Sequence, residues 1–385
     1  MDNGLVVARD KGKSQRRITN WQHRYRAGEE ISDVAAHRQR VGAKGIKLGT
    51  GSFAAGQQNL EGLPTAEGMV TAIYRRGAFV RIDGKQVFCG IAKTFRAVES
   101  SSALAVGDNV TVALTRPEHT DGHLDIDKNR MGGMILSRQP RKTVLARPQP
   151  RSGKRRGKHQ AKAFEKVIVV NMDLLMIVAS TRQPLLRPRL IERYLIIAER
   201  GELKPLLVIN KIDLAAADEQ TLSDFSALGL ETFQCSALTG EGLDRLQAAL
   251  KTKRSVLVGL SGVGKSTLIN AMVPEAKAPT RAVRLKDDRG RHTTAGAAVY
   301  DLPGGGILVD TPGVRELGLH LEASELPWYF PEFEAVAQSC KFNNCTHTHE
   351  PGCAVLAAVE AGEIPSRRYQ SYLHLLDTLE DSKGG

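Results

Sequence analysis

The 385-residue chain lacks a long uninterrupted apolar run, and aromatic side chains make up only 5% of it. No stretch reaches the roughly 18 apolar residues that a membrane-spanning helix needs. The first ten residues carry acids near both ends and no long apolar core, unlike a secretory signal. These absences argue against a membrane-spanning or secreted protein and predict a cytoplasmic one.

Cysteine is also scarce, with five in the whole chain. Three lie close together near the C-terminus, whereas Cys89 and Cys235 are isolated. This distribution does not suit a disulfide framework. It predicts a reducing compartment and one metal site.

Acidic residues are outnumbered, with 42 Asp and Glu against 54 Lys and Arg, for a net charge of +12. Residues 138–166 carry eleven bases against one acid, and residues 1–50 carry eleven against five. Clustered positive charge indicates a partner with a phosphate backbone. An anionic membrane surface is the rival partner, but the chain has no basic amphipathic helix or lipidation motif. We therefore expect a nucleic-acid partner and no membrane.

A small β-barrel is predicted over residues 66–135, because short β-type runs alternate there with turn signals. The runs are 69–73, 78–82, 86–89 and 109–114. About five strands in this length favour an OB-fold, although strand count does not separate it from an SH3-like barrel. Its aromatic residues are expected in the core and not as base-stacking platforms: Tyr74, Phe79, Phe88 and Phe95.

The rest of the chain divides into four further segments. Residues 1–65 form a basic, largely disordered extension, and residues 136–166 are a basic linker rich in Pro, Arg and Lys. Strand and helix patterns alternate over residues 167–320, as in a parallel sheet covered on both faces. Residues 321–385 are helical. They end in an amphipathic helix near 366–381 whose apolar face carries Tyr369, Tyr372, Leu373, Leu376 and Leu379.

A phosphate-binding loop is predicted between an apolar strand and a helix. Its sequence is Gly259-Leu260-Ser261-Gly262-Val263-Gly264-Lys265-Ser266, followed by Thr267. The glycines let backbone N–H groups surround the phosphates, and the helix N-terminus adds a favourable dipole. Lys265 would stabilise the β and γ oxygens during catalysis, and Ser266 would bind Mg²⁺.

The segment Asp310-Thr311-Pro312-Gly313 follows another apolar strand. Asp310 would hold Mg²⁺ through a water molecule, and the Gly313 N–H would contact the γ-phosphate. The first switch, Gly290-Arg291-His292-Thr293-Thr294, would supply a second hydroxyl to Mg²⁺ from either Thr293 or Thr294.

A base-reading motif, Asn210-Lys211-Ile212-Asp213, also ends an apolar strand. The Asp213 carboxylate can accept both donors on the Watson–Crick edge of guanine, which adenine lacks. Asn210 would hold the loops together, and the stem of Lys211 would pack beside the base. Ser236 and Ala237 fit the loop that meets the guanine carbonyl. The sequence therefore predicts binding of GTP and GDP, not of ATP.

The order of these motifs is circularly permuted. In an ordinary GTPase the base-reading motif comes last, but here it precedes the phosphate loop. The helix ending near Leu250 would be the original last helix, and the strand from Ser255 the original first strand. A short join between them is expected where two original termini lie close together.

The group that activates water is not fixed by the motifs. Val314 stands where many GTPases place a water-orienting Gln, and an apolar side chain cannot orient water by hydrogen bonding. His292 is the candidate catalytic residue, while a surface histidine with no such role is the alternative.

A metal site is predicted from Cys340-x4-Cys345-x-His347-x5-Cys353. Three thiolates and one imidazole form a complete tetrahedral shell for one structural Zn²⁺ per chain. His349 is a possible competitor for His347.

Together these motifs resemble the circularly permuted, ribosome small subunit-dependent GTPase family (RsgA, also called YjeQ), over roughly residues 66–385. The resemblance implies a multidomain fold: an OB-fold barrel, a circularly permuted α/β P-loop GTPase domain and a helical C-terminal zinc-binding domain. It also implies a monomer that binds the small ribosomal subunit and its rRNA late in assembly, hydrolyses GTP when stimulated by them, and then leaves. The family places catalytic interest on the His of Gly-Arg-His-Thr-Thr, here His292. The alternative is a GTP-gated RNA-binding module with negligible hydrolysis.

Overall fold

The structure is a computed structural model, and it describes residues 62–74, 77–92, 95, 103–115, 132–148, 165–276, 297–311, 319 and 321–384. Within these ranges, no helix has both the length and the apolar character to cross a membrane. The predicted N-terminal extension lies outside the described residues, except for its last four positions.

Five strands close into the predicted barrel. They are β1 (Thr65–Tyr74), β2 (Gly77–Ile82), β3 (Lys85–Ile91), β4 (Asn109–Leu114) and β5 (Gly133–Arg138). The closed order is β1-β2-β3-β5-β4, and only the β3–β5 pair is parallel. This five-stranded barrel is OB-like, as expected.

The barrel core follows the two-residue period of its strands. In β2, Ala78, Val80 and Ile82 point inward and are buried. Of the four aromatics expected in the core, only Phe95 belongs to it. The period places Phe79 and Phe88 on the outer face, where they and Tyr74 form a half-buried cluster with ring centroids 5.2 to 6.4 Å apart. The expectation of a core position was wrong for these three.

The predicted basic linker contains regular structure at both ends. Strand β5 continues to Arg138, and β6 (Val144–Pro148) pairs antiparallel with β7 (Glu165–Val170). Leu145 and Val169 are buried in the core of the following domain, which explains why these ends are ordered in spite of their neighbouring charges. The most basic part of the linker, residues 149–164, lies outside the described residues.

A six-stranded sheet follows. Its strands are β8 (Leu174–Ser180), β9 (Lys204–Asn210), β10 (Thr232–Gln234), β11 (Arg254–Val258), β12 (Ala298–Asp301) and β13 (Ile307–Asp310). The order is β10-β9-β8-β11-β13-β12, with every pair parallel except β12–β13. All seven residues of β8 are buried, as expected for a central strand covered on both faces.

Four helices accompany this sheet: α1 (Pro188–Arg200), α2 (Glu219–Ala227), α3 (Leu243–Leu250) and α4 (Lys265–Met272). Two buried clusters pack on the sheet, one including Tyr194 and Phe225 and the other including Leu246 and Leu268. Only three residues separate the end of α3 from the start of β11. This is the short join expected at the permutation point.

The C-terminal region contains a 3₁₀ segment (Ala323–Tyr329) and the helices α5 (Pro331–Ala337), α6 (Ala354–Glu360) and α7 (Ser366–Gly384). Tyr369, Tyr372, Leu376 and Leu379 of α7 are buried, as its pattern predicts. Leu373 is only partly buried, whereas Leu375 is fully buried. The buried face of α7 is therefore wider than the sequence pattern predicted, because other parts of the C-terminal core also cover this helix.

Candidate nucleotide and metal sites

Asn210 connects three loops at the carboxyl edge of the sheet. Its side-chain oxygen accepts a hydrogen bond from the Ala237 N–H at 2.9 Å, and its amide nitrogen donates to the Val263 carbonyl at 2.9 Å. Only 1% of Asn210 is exposed. One buried side chain thus holds the base-reading loop, the Ser236-Ala237 loop and the phosphate loop in one arrangement.

Asp213 is exposed, but one of its carboxylate oxygens is held in place. The Ser236 hydroxyl donates to Asp213 Oδ1 at 2.5 Å, and the same hydroxyl accepts from the Thr239 N–H at 3.1 Å. Ser236 itself is fully buried. The carboxylate is therefore oriented before any base arrives, which favours a ligand edge with two neighbouring donors, as in guanine.

Lys211 is anchored by the loop that follows β8. Its backbone has a left-handed φ of +65°, and its carbonyl accepts from the Thr181 hydroxyl at 2.8 Å. Its ammonium donates to the Gln183 carbonyl at 2.5 Å. These contacts fix the direction of the lysine stem that would lie beside the base.

The phosphate loop runs from the end of β11 into α4, as predicted. Gly259 has a φ of +139°, and a Cβ there would lie 2.2 Å from the Val178 carbonyl oxygen. The loop therefore requires glycine both for its conformation and for its close approach to β8. The Lys265 ammonium reaches back across the loop and donates to the Gly259 and Leu260 carbonyls at 2.7 Å each.

Asp310 lies at the carboxyl end of β13, opposite Leu257 of the strand that leads into the phosphate loop. Burial raises the pKa of Tyr300, and the negative charge of Asp310 raises it further. Ser266 and Thr267 are in the first turn of α4 and are partly exposed. The predicted magnesium-side groups of the phosphate loop and of β13 thus share one edge of the sheet.

The remaining predicted residues of the nucleotide site fall outside the described residues: His292, Thr293, Thr294, Gly313 and Val314. The assignment of the catalytic histidine and of the second magnesium hydroxyl stays a prediction.

The four predicted metal ligands meet at one point, with their donor atoms all within 4.8 Å of one another. The Nδ1 atom of His347 lies 3.6 Å from Cys340 Sγ and 3.5 Å from Cys353 Sγ, and the two sulfurs are 3.9 Å apart. Tetrahedral zinc with thiolate bonds near 2.3 Å requires sulfur atoms roughly 3.8 Å apart. The donor set and its spacing therefore fit Zn²⁺.

His349 is not one of this group of four. Its Nδ1 atom is instead 2.8 Å from the Thr348 hydroxyl.

His347 adopts a left-handed φ of +57°, and its carbonyl accepts from the Tyr369 hydroxyl at 2.8 Å. Tyr372 in the same helix donates to the Thr346 carbonyl at 2.5 Å.

Glu350 closes the metal-binding loop by accepting hydrogen bonds from the Thr346 hydroxyl and N–H, both at 2.6 Å, and from the Thr348 N–H at 3.1 Å. Burial acts to raise the pKa of Glu350, but these hydrogen bonds outweigh it and hold the pKa well below its usual range. An ionised carboxylate thus stabilises the turn that presents His347.

Binding of a cation would change the protonation of the thiol ligands but not that of the imidazole. Burial, with smaller contributions from the neighbouring thiols, raises the pKa of Cys345 to about 12. Burial lowers the pKa of His347, which keeps the imidazole neutral. Without a cation, the high pKa keeps the Cys345 thiol protonated. A divalent cation favours the deprotonated form because it binds the thiolate.

Comparison with known proteins agrees with this geometry. The RsgA GTPase family model matches residues 138–320. The small ribosomal subunit biogenesis GTPase RsgA of Chlorobaculum parvum is 38% identical over 322 residues, which cover 82% of this chain and 99% of the relative. The chain belongs to the RsgA GTPase family. It is therefore a GTPase.

A further relative and two solved structures support the same conclusion. The RsgA of Shewanella oneidensis is 35% identical over 327 residues, covering 83% of this chain and 85% of the relative. The crystal structure of YjeQ from Thermotoga maritima has a TM-score of 0.61 at 30% identity, covering 82% and 99% of the two chains. YloQ, described as a circularly permuted GTPase, has a TM-score of 0.57 at 25% identity, covering 83% and 96%. The predicted permutation is confirmed.

Sequence reasoning missed two supports of the RsgA-type site, Thr181 and Gln183. Both lie in the loop after β8 and contact Lys211, about thirty positions further along the chain. Neither belongs to a motif, and only the parallel pairing of β8 with β9 brings them beside the base-reading loop. The sequence carried no local signal that would have found them.

Proposed function

We propose that this RsgA-family GTPase hydrolyses Mg²⁺·GTP in late maturation of the small ribosomal subunit, and that the subunit and its rRNA stimulate turnover. The observation that carries the nucleotide part is the buried Asn210, which joins all three nucleotide loops. The curated relatives are named small ribosomal subunit biogenesis GTPases. In this proposal, GTP hydrolysis drives release from the subunit.

The contacts described above support these roles. Asp213 reads the guanine edge, Lys211 packs beside the base, and the Ser236-Ala237 loop meets the guanine carbonyl. Backbone N–H groups of the phosphate loop and the Lys265 ammonium bind the phosphates. The proposed GTP-binding set is Asn210, Lys211, Asp213, Ser236, Ala237, Gly259, Ser261, Gly262, Val263, Gly264, Lys265, Ser266, Thr267 and Gly313.

Magnesium fits the oxygen donors at the carboxyl edge of the sheet. Ser266 and either Thr293 or Thr294 would bind it directly, and Asp310 would hold it through water. When bound, Mg²⁺ would neutralise the negative charge that develops on the phosphate oxygens. We assign His292 to orienting the attacking water, since Val314 cannot do so.

The Cys₃His group is proposed to hold one structural Zn²⁺ through Cys340, Cys345, His347 and Cys353. Four protein ligands complete a tetrahedral shell and leave no open position for a substrate. The role of this ion is therefore to order the C-terminal domain.

Binding to rRNA is supported by charge and by the barrel surface. The chain carries a net charge of +12. The half-buried aromatic cluster of Tyr74, Phe79 and Phe88 lies on the outer face of the OB-like barrel, where unpaired bases can stack. We further propose a cytoplasmic monomer with the domain boundaries expected from the sequence, except that the ends of the 136–166 segment belong to folded units.

The test is GTP turnover with and without purified small subunits, on the parent protein, His292→Ala and His374→Ala. His374 is an exposed histidine on α7 and serves as the matched control. We expect the subunit to stimulate GTP turnover by the parent and by the control. The subunit-stimulated turnover rate of His292→Ala should be roughly 100-fold lower than that of the parent. Stimulation retained in His292→Ala would move catalysis to another group. No stimulation of the parent, with subunit binding intact, would favour the GTP-gated RNA-binding module instead.

A further inference from the structure

Helix α1 faces the nucleotide site on one side. Tyr194 is 1% exposed within the core that packs on the sheet, and this core also contains Val258, the residue directly before Gly259 of the phosphate loop. The C-terminal domain covers the other side of the helix. Residues two apart on an α-helix point about 200° from each other. Glu192 therefore points away from the sheet.

Arg368, in the first turn of α7, holds Glu192. Its guanidinium lies 3.1 Å from Glu192 Oε1 and donates to both carboxylate oxygens of Glu332 at 2.5 and 3.3 Å. The same group lies 4.7 Å from the ring centroid of Phe330. One side chain, 7% exposed, thus joins α1 to α5 and to the end of the 3₁₀ segment.

Apolar packing continues this contact. Ile196 of α1 is buried within the C-terminal core, among residues that include Leu326, Phe330 and Phe333. The residue after Arg368, Tyr369, binds the carbonyl of the metal ligand His347. The first turn of α7 therefore contacts both the GTPase helix and the metal-binding loop.

The ion pair between Glu192 and Arg368 is shielded from water, so solvent cannot compensate for the loss of either partner. Glu192 is 3% exposed, and within the described part of the chain its second carboxylate oxygen has no hydrogen-bond partner. Loss of Arg368 would leave the Glu192 carboxylate buried with no counter-charge, which costs free energy. Because separating the two helices would break the pair in the same way, α1 and α7 are held in one relative position. The adjacent Arg367 pairs instead with Asp224 of α2, with 38% and 22% of their side chains exposed.

We propose that Arg368 is a positioning residue that couples the nucleotide site to the metal-binding domain through α1. A change at Gly259 would move Tyr194 and α1 as a packed unit, and Glu192 would transmit the movement through Arg368 to the 3₁₀ segment and α7. The route is separate from the chain connection that follows Asp310. It rests on the proposed nucleotide site.

Trp328 offers a local reporter. It belongs to the 3₁₀ segment, is 51% exposed, and stands two residues before Phe330. The chain's other tryptophan is Trp21, which Trp21→Phe removes. The emission of Trp328 would then be recorded with GDP and with a non-hydrolysable GTP analogue. Nucleotide affinity would be measured by calorimetry on the same samples.

In the Trp21→Phe background, we expect the two nucleotides to give different Trp328 emission. Arg368→Met should reduce that difference by at least about fivefold, while Arg367→Met should keep it. Both variants should bind GDP within about twofold of the parent, because neither side chain touches the nucleotide site. Since the single variant leaves Glu192 unpaired, the double variant Glu192→Leu/Arg368→Met removes both charges and should also lose the response.

The emission difference retained in a folded Arg368→Met or double variant would overturn the proposal. No difference in the parent, with both nucleotides bound, would overturn it as well and leave the proposed function intact. Failure of the parent to bind guanine nucleotides would defeat the proposed function and, with it, this inference.

Discussion

Gly264 and Asn210 approach so closely that a Cβ added to Gly264 would lie 2.3 Å from the Asn210 side-chain nitrogen. Asn210 cannot retreat, because that nitrogen donates to the Val263 carbonyl and its oxygen accepts from Ala237. In this permuted chain the phosphate loop and the base-reading loop are therefore packed directly together.

Gly264→Ala is expected to impair GTP binding. The variant combines a strained φ of +95° with displacement of Asn210, and each buried hydrogen bond lost costs about 1–3 kcal/mol. We expect calorimetry to show GTP affinity reduced by at least about tenfold, since loss of one such bond already corresponds to that factor.

Gly305→Ala is the matched control. Gly305 has a similar φ of +92°, but a Cβ there would meet nothing within 4 Å. It should lower the free energy of unfolding by about 1–2 kcal/mol without changing GTP affinity. Equal GTP affinities in the two variants would show that the contact with Asn210 does not matter.

Asp213→Asn is expected to change base preference. The side-chain amide of this variant can no longer accept hydrogen bonds from both guanine donors. Its NH₂ group can instead donate to the carbonyl that xanthine carries where guanine has its exocyclic amine. Competition binding should show GTP affinity reduced by roughly 100-fold or more and XTP affinity increased. Ser236→Ala removes only the hydroxyl that orients Asp213, so it should weaken GTP binding less and leave the base preference unchanged. Unaltered GTP affinity in Asp213→Asn would contradict the assigned role.

Thiol reactivity should separate the cysteines into two groups. Cys89 and Cys235 are both 0% exposed, and burial raises the pKa of Cys89 to about 12 and that of Cys235 to about 11, so a reagent does not reach either thiol in the folded protein. In the metal site, Cys340 and Cys345 are partly exposed on either side of the exposed residues 341–344, whereas Cys353 is 6% exposed. We expect an aromatic disulfide reagent to modify none of the five thiols in the metal-bound protein. It should modify the three metal-site thiols once a chelator removes the metal and opens their loop, and Cys89 and Cys235 only after denaturation. Cys345→Ser should release metal more readily; full metal retention would argue against its role as a ligand.

Much of the nucleotide and metal architecture was predictable because each motif is a local pattern. A strand, a glycine-rich turn and a helix define the phosphate loop within about twenty residues, and the four metal ligands span fourteen. Strand periodicity and turn signals predicted a small barrel, although they did not separate an OB-fold from an SH3-like barrel. Such features need no knowledge of distant contacts.

The sequence was misleading where a local pattern and a distant partner conflict. Residues 136–166 were predicted to form a basic linker, yet Arg141 within it is 2% exposed. Its partner, Asp108, lies 33 positions earlier, and charge density alone does not show which arginine has such a partner. Strand β12 was also missed, because none of its four residues is fully buried and it has no long apolar run.

Asp108 and Arg141 also form the buried joint between the barrel and the GTPase domain. Arg141 Nε and Nη2 donate to the two carboxylate oxygens at 2.8 and 2.9 Å, and neither side chain is exposed. The neighbouring Gly107 packs against β7, where a Cβ would lie 2.0 Å from the Val170 carbonyl oxygen. Asn171 completes the joint by donating to the Gly107 carbonyl at 2.9 Å.

Arg141→Met should therefore lower the free energy of unfolding by about 3–5 kcal/mol, because it leaves the Asp108 carboxylate buried with weaker compensation. Lys204→Met is the matched control, since it removes a Lys204–Glu231 pair whose side chains are 41% and 45% exposed. That change should cost no more than about 1 kcal/mol. Urea unfolding of both variants, followed by circular dichroism, measures the difference. Equal losses of unfolding free energy in the two variants would mean that burial does not set the strength of the Asp108–Arg141 pair. Arg138, whose guanidinium lies 3.6 Å from Asp108, would then replace Arg141 as the counter-charge.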